Sequence, residues 1–172
     1  MITVRRIGPA DGPLLRSVRL SAIADSPGVY ATTLAQAEVR PLGQWDRVAE
    51  AGSVGIDQGT WFAEVGADPD APTAPVTAGM VNAYRTKDDL ITLTSLWSAP
   101  GHRGVGVAAT LVEEVTRWAV ASGGVALRLW VVERNQFARR FYEDLGFVAT
   151  GASMAYEPDP ELVEFEMRKV LV

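Results

Sequence analysis

The stretch from Arg103 to Ala108 has the residue types and the spacing of a phosphate-binding turn. It reads Arg103-Gly104-Val105-Gly106-Val107-Ala108 and directly precedes an amphipathic segment. The first N–H groups of a helix lack internal partners, and the helix dipole places partial positive charge beside them. Glycines let the backbone approach an anion, and an arginine adds a permanent counter-charge. These six residues, called the glycine turn below, therefore predict a diphosphate site. The same spacing also fits a plain strand-to-helix turn in which the glycines serve only packing.

A second pair of residues is spaced to contact one extended ligand. Asn135 is expected to cap a helix that Gly146 ends, and Tyr142 follows Asn135 by seven residues. Seven residues are about two helical turns, so both side chains lie on one face, about 10 Å apart along the axis. From periodicity alone, a simple helix cap and a core aromatic ring remain the alternatives for these two residues.

The residue inventory excludes several other chemistries. The chain has no cysteine and a single histidine, His102, so thiolate nucleophiles, disulfides and multi-histidine metal clusters are excluded. His102 is expected to point to solvent, with a role as a base as the alternative. The net charge of −5 argues against nucleic-acid and anionic-membrane partners. With no signal peptide and no apolar run of about 20 residues, the sequence predicts a cytoplasmic protein without a metal.

Hydrophobic periodicity predicts a mixed α+β fold in a single domain, residues 1–172. The first half reads as helices followed by an antiparallel meander, and residues 90–132 form a strand–helix–strand unit that implies a parallel pair. The apolar run at 125–132 is typical of a strand covered on both faces. The predicted strands are about 2–7, 61–65, 76–84, 90–98, 125–132, 147–154 and 162–170. The predicted helices begin at Pro9–Pro13, at about 34 with a break near Pro41 and with Trp45 and Val48 inward, at about 104, and after Asn135.

The glycines also match a different cofactor motif. Gly104-x-Gly106-x-x-Ala109 fits the dinucleotide fingerprint, and Glu133 follows near the end of the next strand, where a ribose-binding acid belongs. A dinucleotide fold would need further strand–helix units after this point, however, and only 63 residues follow Ala109. This alternative predicts a nicotinamide-dependent oxidoreductase.

Two motifs in order resemble the GNAT N-acetyltransferase superfamily. The glycine turn is similar to the family's R/Q-x-x-G-x-G/A at Arg103, Gly106 and Ala108. Residues 135–147 are similar to its N-x-x-A-x-x-x-Y-x-x-x-G-F signature. The order of the two motifs, with a helix and a strand between them, is more specific than either alone. The N-terminal part also looks like bacterial members of unassigned substrate.

The resemblance implies a fold and a set of site residues. The fold is a mixed, mostly antiparallel central sheet with helices on both faces, in which a parallel pair, here 90–98 and 125–132, splays apart around acyl-coenzyme A. Acetyl-CoA is the implied co-substrate, and a primary amine of a small molecule or a protein attacks it directly in a ternary complex. No metal is implied. Apart from the resemblance, the apolar character of the final strand, 162–172, would allow it to pair across a homodimer. The implied cofactor contacts are Leu96, Trp97 and Ser98 on the first strand, Arg103, Gly104, Val105, Gly106, Val107 and Ala108 in the turn, and Asn135 on the pantetheine arm.

Tyr142 is the implied catalytic residue. A phenol with a pKa near about 10 is able to give a proton or a hydrogen bond to the leaving thiolate. By analogy with the family, the acceptor lies between the Ser26–Ala35 loop and residues 154–160, with Tyr30, Trp45 and Tyr156 as candidate walls.

The sequence departs from the family at the general base. Many members carry an acid on the strand before the turn, but here 91–98 has none. Thr94 or Ser95 orienting a water, Glu64 reaching in from a neighbouring strand, and an acceptor with a lowered pKa are the open alternatives. The missing acid also leaves open a catalytically silent acyl-CoA-binding or sensor domain.

Overall fold

The computed structural model describes residues 1–66 and 74–171, which form seven strands and five helices. Each predicted strand has a counterpart, and the helical region after residue 34 is two helices. The elements are β1 (Ile2–Arg6), α1 (Gly12–Asp25), α2 (Leu34–Glu38), α3 (Leu42–Ser53), β2 (Gln58–Val65), β3 (Val76–Arg85), β4 (Leu90–Ser98), α4 (Val107–Ala121), β5 (Ala126–Val132), α5 (Gln136–Asp144), β6 (Val148–Tyr156) and β7 (Asp159–Val170).

The strands form one mixed sheet in the order β1-β2-β3-β4-β5-β7-β6. Every neighbouring pair is antiparallel except β4 and β5, which are parallel and joined through α4. A parallel pair needs a crossover connection, and the amphipathic segment after the glycine turn supplies it. The predicted mixed, mostly antiparallel sheet is confirmed.

The parallel pair is joined over a short distance and then splays. Its register contains three residue pairs and ends where Thr92 lies opposite Arg128. Beyond this point β4 continues to Ser98 beside β3, whereas β5 continues to Val132 beside β7. The last part of β4 therefore has β3 on one side and no described strand on the other.

A bulge in β4 lies within this unpaired part. The β3–β4 register shifts from Asn82↔Thr94 to Met80↔Trp97, so that two residues of β4 oppose one of β3. Ser95, inside the bulge, has a φ of 56°, a left-handed conformation that costs a non-glycine residue about 1 kcal/mol or more. The extra residue reverses the alternation of the strand.

The predicted alternation of β4 is therefore wrong after Ser95. It placed Leu96 on the face of Thr92 and Thr94, but Leu96 packs with the core on the opposite face. Trp97, next along the chain, is buried in the other core. Regular period-two alternation cannot reveal an inserted residue.

Helices cover both faces of the sheet, as predicted. On one face, α4 and α5 bury apolar residues of β3, β4 and β5 around Leu111 and Leu127. On the other, α1, α2 and α3 pack on β2, β3 and the end of β4 around Trp45, Phe62 and Trp97. The end of β4 thus lies between two packed layers, and the start of α4 is fixed in one of them through Val107.

Two predictions about burial are wrong. Val48 is 43% exposed because α3 turns Trp45, Ala49 and Gly52 towards the core and leaves Val48 at the edge of that stripe. The strand β5 is fully buried on one face only, and Arg128 on its second face is half-buried. The guanidinium of Arg128 donates from Nε and Nη2 to Thr92 Oγ1 at 3.1 and 2.8 Å, which gives this cation a polar partner within the sheet.

Candidate functional site

A cleft of about 400 Å³ opens between the splayed end of β4, the start of α4 and the inner face of α5. Its walls bring together residues from four separate parts of the chain. Of the predicted site residues, all but Val105 line it, and Val105 is 61% exposed. The predicted residues that line the cleft are Leu96, Trp97, Ser98, Arg103, Gly104, Gly106, Val107, Ala108, Asn135 and Tyr142.

The glycine turn is built by backbone conformation. Gly104 has a φ of 77° and Gly106 a φ of 98°, values that side-chain-bearing residues rarely adopt. A Cβ placed on Gly104 would meet no atom within 4 Å, and one on Gly106 would meet only Ile2 Cδ1, at 3.9 Å. Tight packing therefore does not account for these glycines, and the space above them is open to a ligand.

The first turn of α4 presents its amides without a side-chain cap. Gly106 is the N-cap residue and offers no side chain to accept from the following N–H groups. The first helical hydrogen bond runs from the amide of Thr110 to the carbonyl of Gly106, at 3.0 Å. The amides of 107–109 precede this bond, so they are the donors that an anion at a helix N-terminus would contact.

Arg103 lines the cleft and is held from two sides. Its Nε donates to the carbonyl of Ser98 at 3.2 Å, and its Nη2 contacts the Asp25 carboxylate at the end of α1. The indole Nε1 of Trp97 donates to the same carboxylate at 3.0 Å. These bonds, first that of Trp97 and then that of Arg103, hold the pKa of Asp25 below its usual value although burial acts in the opposite direction.

The cleft side of β4 carries polar groups that lack partners. Ser98 Oγ is buried and makes no hydrogen bond to another described residue. The β4 backbone beyond Thr92 faces the cleft without a neighbouring strand among the described residues. Buried polar groups are normally satisfied, so this wall has the chemistry of one that an amide-containing ligand completes.

The α5 wall carries Asn135 and Tyr142. Asn135 caps the helix, because its Oδ1 accepts from the amide of Ala138 at 3.0 Å. The cap uses the oxygen and leaves the side-chain N–H₂ as a donor. The Tyr142 ring packs edge-on against Phe141 and Phe147, with centroids 5.1 and 5.5 Å away. Burial, together with the nearby phenol of Tyr30, raises the pKa of Tyr142 well above its ordinary value.

Several lining residues were not predicted as cofactor contacts. Ser26, Val29 and Tyr30 lie in the loop between α1 and α2 and form the wall facing the glycine turn. Phe137 also lines the cleft and is 85% exposed. The signal available in the sequence was an aromatic residue two positions after the predicted helix cap, Asn135. His102 is half-buried with Nδ1 fully enclosed, so the expectation that it points to solvent is wrong.

The three residues predicted to line the acceptor site lie in different parts of the structure. Tyr30 lines the cleft, whereas Trp45 is a core residue of α3. The hydroxyl of Tyr156, on β6, donates to the carbonyl of Gly28 at 2.5 Å and so joins the β6–β7 hairpin to the α1–α2 loop.

No carboxylate is among the described residues that line the cleft. Glu64 lies on β2, two strands from β4, and its Oε1 accepts from Arg5 Nε at 2.7 Å. Glu64 is therefore not placed to act as a base in this cleft. Glu133 lines a separate cavity beside α5 and β7, which removes the support for the dinucleotide alternative.

The described residues offer neither a membrane-spanning helix nor a metal-binding cluster. None of the described helices is both long enough and apolar enough to cross a bilayer. Within residues 1–66 and 74–171, no cluster of three or more histidine and acidic side chains is arranged to hold a metal ion.

Solved structures share this fold over the whole chain. A GNAT-family acetyltransferase from Streptococcus pneumoniae aligns over 100% of both chains with a TM-score of 0.76 at 22% identity. A GCN5-related N-acetyltransferase from Kribbella flavida covers 99% of this chain and 98% of its own, with a TM-score of 0.73 at 22% identity. Arabidopsis thaliana NAA60 in complex with acetyl-CoA covers 99% of both, with a TM-score of 0.71 at 18% identity. These likenesses define the GNAT fold.

The family to which the chain belongs is shown by its sequence. The model of the acetyltransferase (GNAT) family matches residues 35–147, and the chain belongs to this family. It is also similar to N-acetyltransferases of uncharacterised activity from Mycobacterium bovis and Mycobacterium tuberculosis, at 39% identity over 75 residues. That match covers 42% of this chain and 47% of theirs, so it spans about half the length of these relatives. The resemblance stated from the two motifs is confirmed.

Proposed function

We propose that the chain is an acetyl-CoA-dependent N-acetyltransferase that acts on a primary amine of a small molecule or a protein. The observation that carries this proposal is the open glycine turn, whose two left-handed glycines and uncapped helix amides lie at one end of a cleft beside a splayed strand pair. Membership of the acetyltransferase (GNAT) family supports it, as does the fold shared with an acetyl-CoA complex.

Different residues of the cleft would contact different parts of the cofactor. The amides at the start of α4 and the oriented guanidinium of Arg103 suit the diphosphate. The unpaired edge of β4 suits the amides of the pantetheine arm, which would add to the sheet like a short strand. The side-chain N–H₂ of Asn135 is a further donor to that arm. This assignment uses the uncapped amides of α4, the unpaired edge of β4 and the free side-chain N–H₂ of Asn135.

The reaction is a direct transfer in a ternary complex. The amine nitrogen attacks the thioester carbon, the new C–N bond forms, and the C–S bond breaks with its electron pair on sulfur. The departing thiolate accepts a hydrogen bond or a proton from Tyr142, whose raised pKa keeps the phenol protonated, and a proton that it gives up is replaced from water. After the attack, the nitrogen carries a positive charge and gives its proton to water, since no carboxylate is among the described lining residues. We propose that the acceptor reacts from its neutral fraction.

A silent acyl-CoA-binding domain is the second candidate, and the missing carboxylate favours it. It shares the cofactor site with the leading proposal but predicts no turnover. Binding and thiol release must therefore be measured separately.

The test uses Ala108, in the first turn of α4 and on the cleft wall. We expect Ala108→Glu to weaken acetyl-CoA binding about 100-fold or more, because like charges placed together cost several kcal/mol. A carboxylate at this position suits the helix dipole, so the fold should be retained. Ala108→Gln, of the same shape without the charge, is the matched control and should lose much less affinity. Calorimetric titration with acetyl-CoA measures both.

Wild-type protein should release free thiol from acetyl-CoA with at least one member of a panel of primary amines. It should also melt several degrees higher with saturating acetyl-CoA and not with NAD. Equal affinities of the Glu and Gln variants would contradict the diphosphate site. Binding without thiol release for any amine would favour the silent domain.

A further inference from the structure

Asp25 joins three parts of the site that come from separate elements. Its Oδ2 accepts from Trp97 Nε1 at 3.0 Å, from Arg103 Nη2 and from Ser26 Oγ at 3.1 Å. The carboxylate side chain is only 18% exposed. One oxygen therefore connects the end of α1, the end of β4 and the glycine turn. None of the roles assigned to the cleft residues accounts for this carboxylate.

The bond to Asp25 leaves Arg103 able to contact an anion. A guanidinium has five N–H donors, and the bonds to Asp25 and to the Ser98 carbonyl use two of them. The Arg103 side chain is 51% exposed and lines the cleft. An arriving phosphate would thus meet a cation that is already oriented, which lowers the entropy cost of binding.

The residues that follow Asp25 form the opposite wall of the cleft. Ser26, Val29 and Tyr30 line it, and the loop 26–33 has no regular secondary structure. Its internal bonding is thin: the Val29 amide donates to the carbonyl of Ser26 at 3.3 Å. A segment with few backbone bonds of its own opens easily, so the loop depends on its outer attachments: Asp25 at its first residue, the Tyr156 hydroxyl at the Gly28 carbonyl, and the capping box of Thr33 at its end.

We propose that Asp25 couples binding of the coenzyme A phosphates at the glycine turn to the order of the loop 26–33. The inference rests on the proposed function. A phosphate against Arg103 completes an anion–cation–anion chain that ends at Asp25, and this chain fixes the point where α1 passes into the loop. Coenzyme A thereby orders the wall that faces the acceptor before the acceptor arrives. Asp25 is a positioning residue and touches no reacting atom.

Hydrogen exchange with coenzyme A as the probe tests this coupling. In the wild-type protein, saturating coenzyme A should slow amide exchange both at 103–110 and in the loop 26–33, the latter about fivefold to tenfold, within the usual range of coupling between sites. Asp25→Asn keeps the shape of the side chain and an oxygen for Trp97 but removes the charge that holds Arg103. This variant should keep the protection at 103–110 and lose that of the loop.

Two further variants control the experiment. Glu50→Gln removes a carboxylate from the exposed surface of α3 and should behave like wild type. Arg103→Gln breaks the same ion pair from its other partner. At a coenzyme A concentration that restores protection at 103–110, it should also lose loop protection, which decides the matter should Asp25→Asn fail to fold.

The outcomes separate this inference from the proposed function. Protection of the loop in Asp25→Asn equal to that in wild type would overturn the coupling, since coenzyme A would then contact the loop directly. Wild-type protection at 103–110 alone would also overturn it, while leaving the proposed function intact. Absence of protection at both segments in the wild-type protein would overturn both.

Discussion

Tyr142 combines burial with a place on the cleft wall. Phe141 and Phe147 hold its ring edge-on, and its pKa is raised by burial and by the neighbouring Tyr30 phenol. A phenol in this state remains protonated over the pH range in which most proteins are folded. It can therefore donate a proton or hydrogen bond, but it does not supply the base that removes the proton of the amine.

Replacing Tyr142 by Phe should lower kcat by about 100-fold or more while changing KM for acetyl-CoA little, because the ring packing survives and only the proton donor is lost. Thiol release at varied acetyl-CoA concentration measures both constants. In the wild-type protein, kcat should show no decline from ionisation of this phenol up to about pH 10, its unperturbed pKa. Tyr84→Phe, on a 43% exposed side chain of β3, is the matched control. An unchanged kcat in Tyr142→Phe would remove the donor role.

At the scale of elements, the position of α4 on the sheet decides where its amides point. Gly79 on β3 lies directly under the start of the helix, where a Cβ would stand 2.7 Å from the Trp97 carbonyl oxygen and 2.7 Å from Val107 Cγ1. Glycine here permits the close approach of a helix and two strands. The glycine turn is thus held in place by a residue that does not line the cleft.

We expect Gly79→Ala to lower the free energy of unfolding by about 1–3 kcal/mol, as overpacking usually does. It should also weaken acetyl-CoA binding, because β4 and the first turn of α4 must shift apart to admit the methyl group. Chemical denaturation and calorimetric titration measure the two effects. Gly101→Ala is the control, since its Cβ would meet no atom within 4 Å. Full affinity in Gly79→Ala would show that the seating of α4 does not govern the phosphate site.

For the molecule as a whole, local patterns in the sequence predict the helices, the strands and the two motifs. They do not predict contacts between residues that are far apart in the chain. The strand–helix–strand unit and the residues of the glycine turn follow from apolar spacing and glycine positions. The bulge at Ser95 leaves no trace in a pattern of period two. The contact of Asp25 with Arg103 joins residues 78 positions apart, so it depends on how α1 packs against the end of β4. The enclosure of His102 Nδ1 likewise depends on the folded structure around it and not on the local sequence.

The stability of the whole chain at acid pH depends in part on the pKa of Asp11. Asp11 accepts from Arg5 Nη1 at 2.6 Å and from the Gly8 amide at 2.7 Å, and these bonds, the first being the stronger, lower its pKa below 3.8. Since the folded pKa lies below the unfolded value, the stabilisation is complete above that value and is lost as the pH falls through the folded pKa.

Asp11→Asn should therefore lower the melting temperature at pH 7 by about 2–4 °C, the shift that ~1 kcal/mol gives in a chain of this size. The difference from wild type should begin to shrink below about pH 3.8, the value for the unfolded chain, and should be lost once the pH has fallen through the lower pKa of the folded carboxylate. Melting curves from pH 7 to pH 2 record both. A constant difference across this range would show that the charge of Asp11 is not what stabilises the junction of β1 and α1.

The register between β4 and β5 contains only three residue pairs, so the middle of the sheet is its most weakly paired part. The four strands on one side of this pair and the three on the other are joined to one another by longer antiparallel registers. Any motion of one half of the sheet against the other would therefore pivot near Thr92 and Arg128 and would change the width of the cleft. An extended ligand that lay in that gap like a strand would connect the two halves of the sheet. It would thereby restrict their relative motion even at positions that it does not contact.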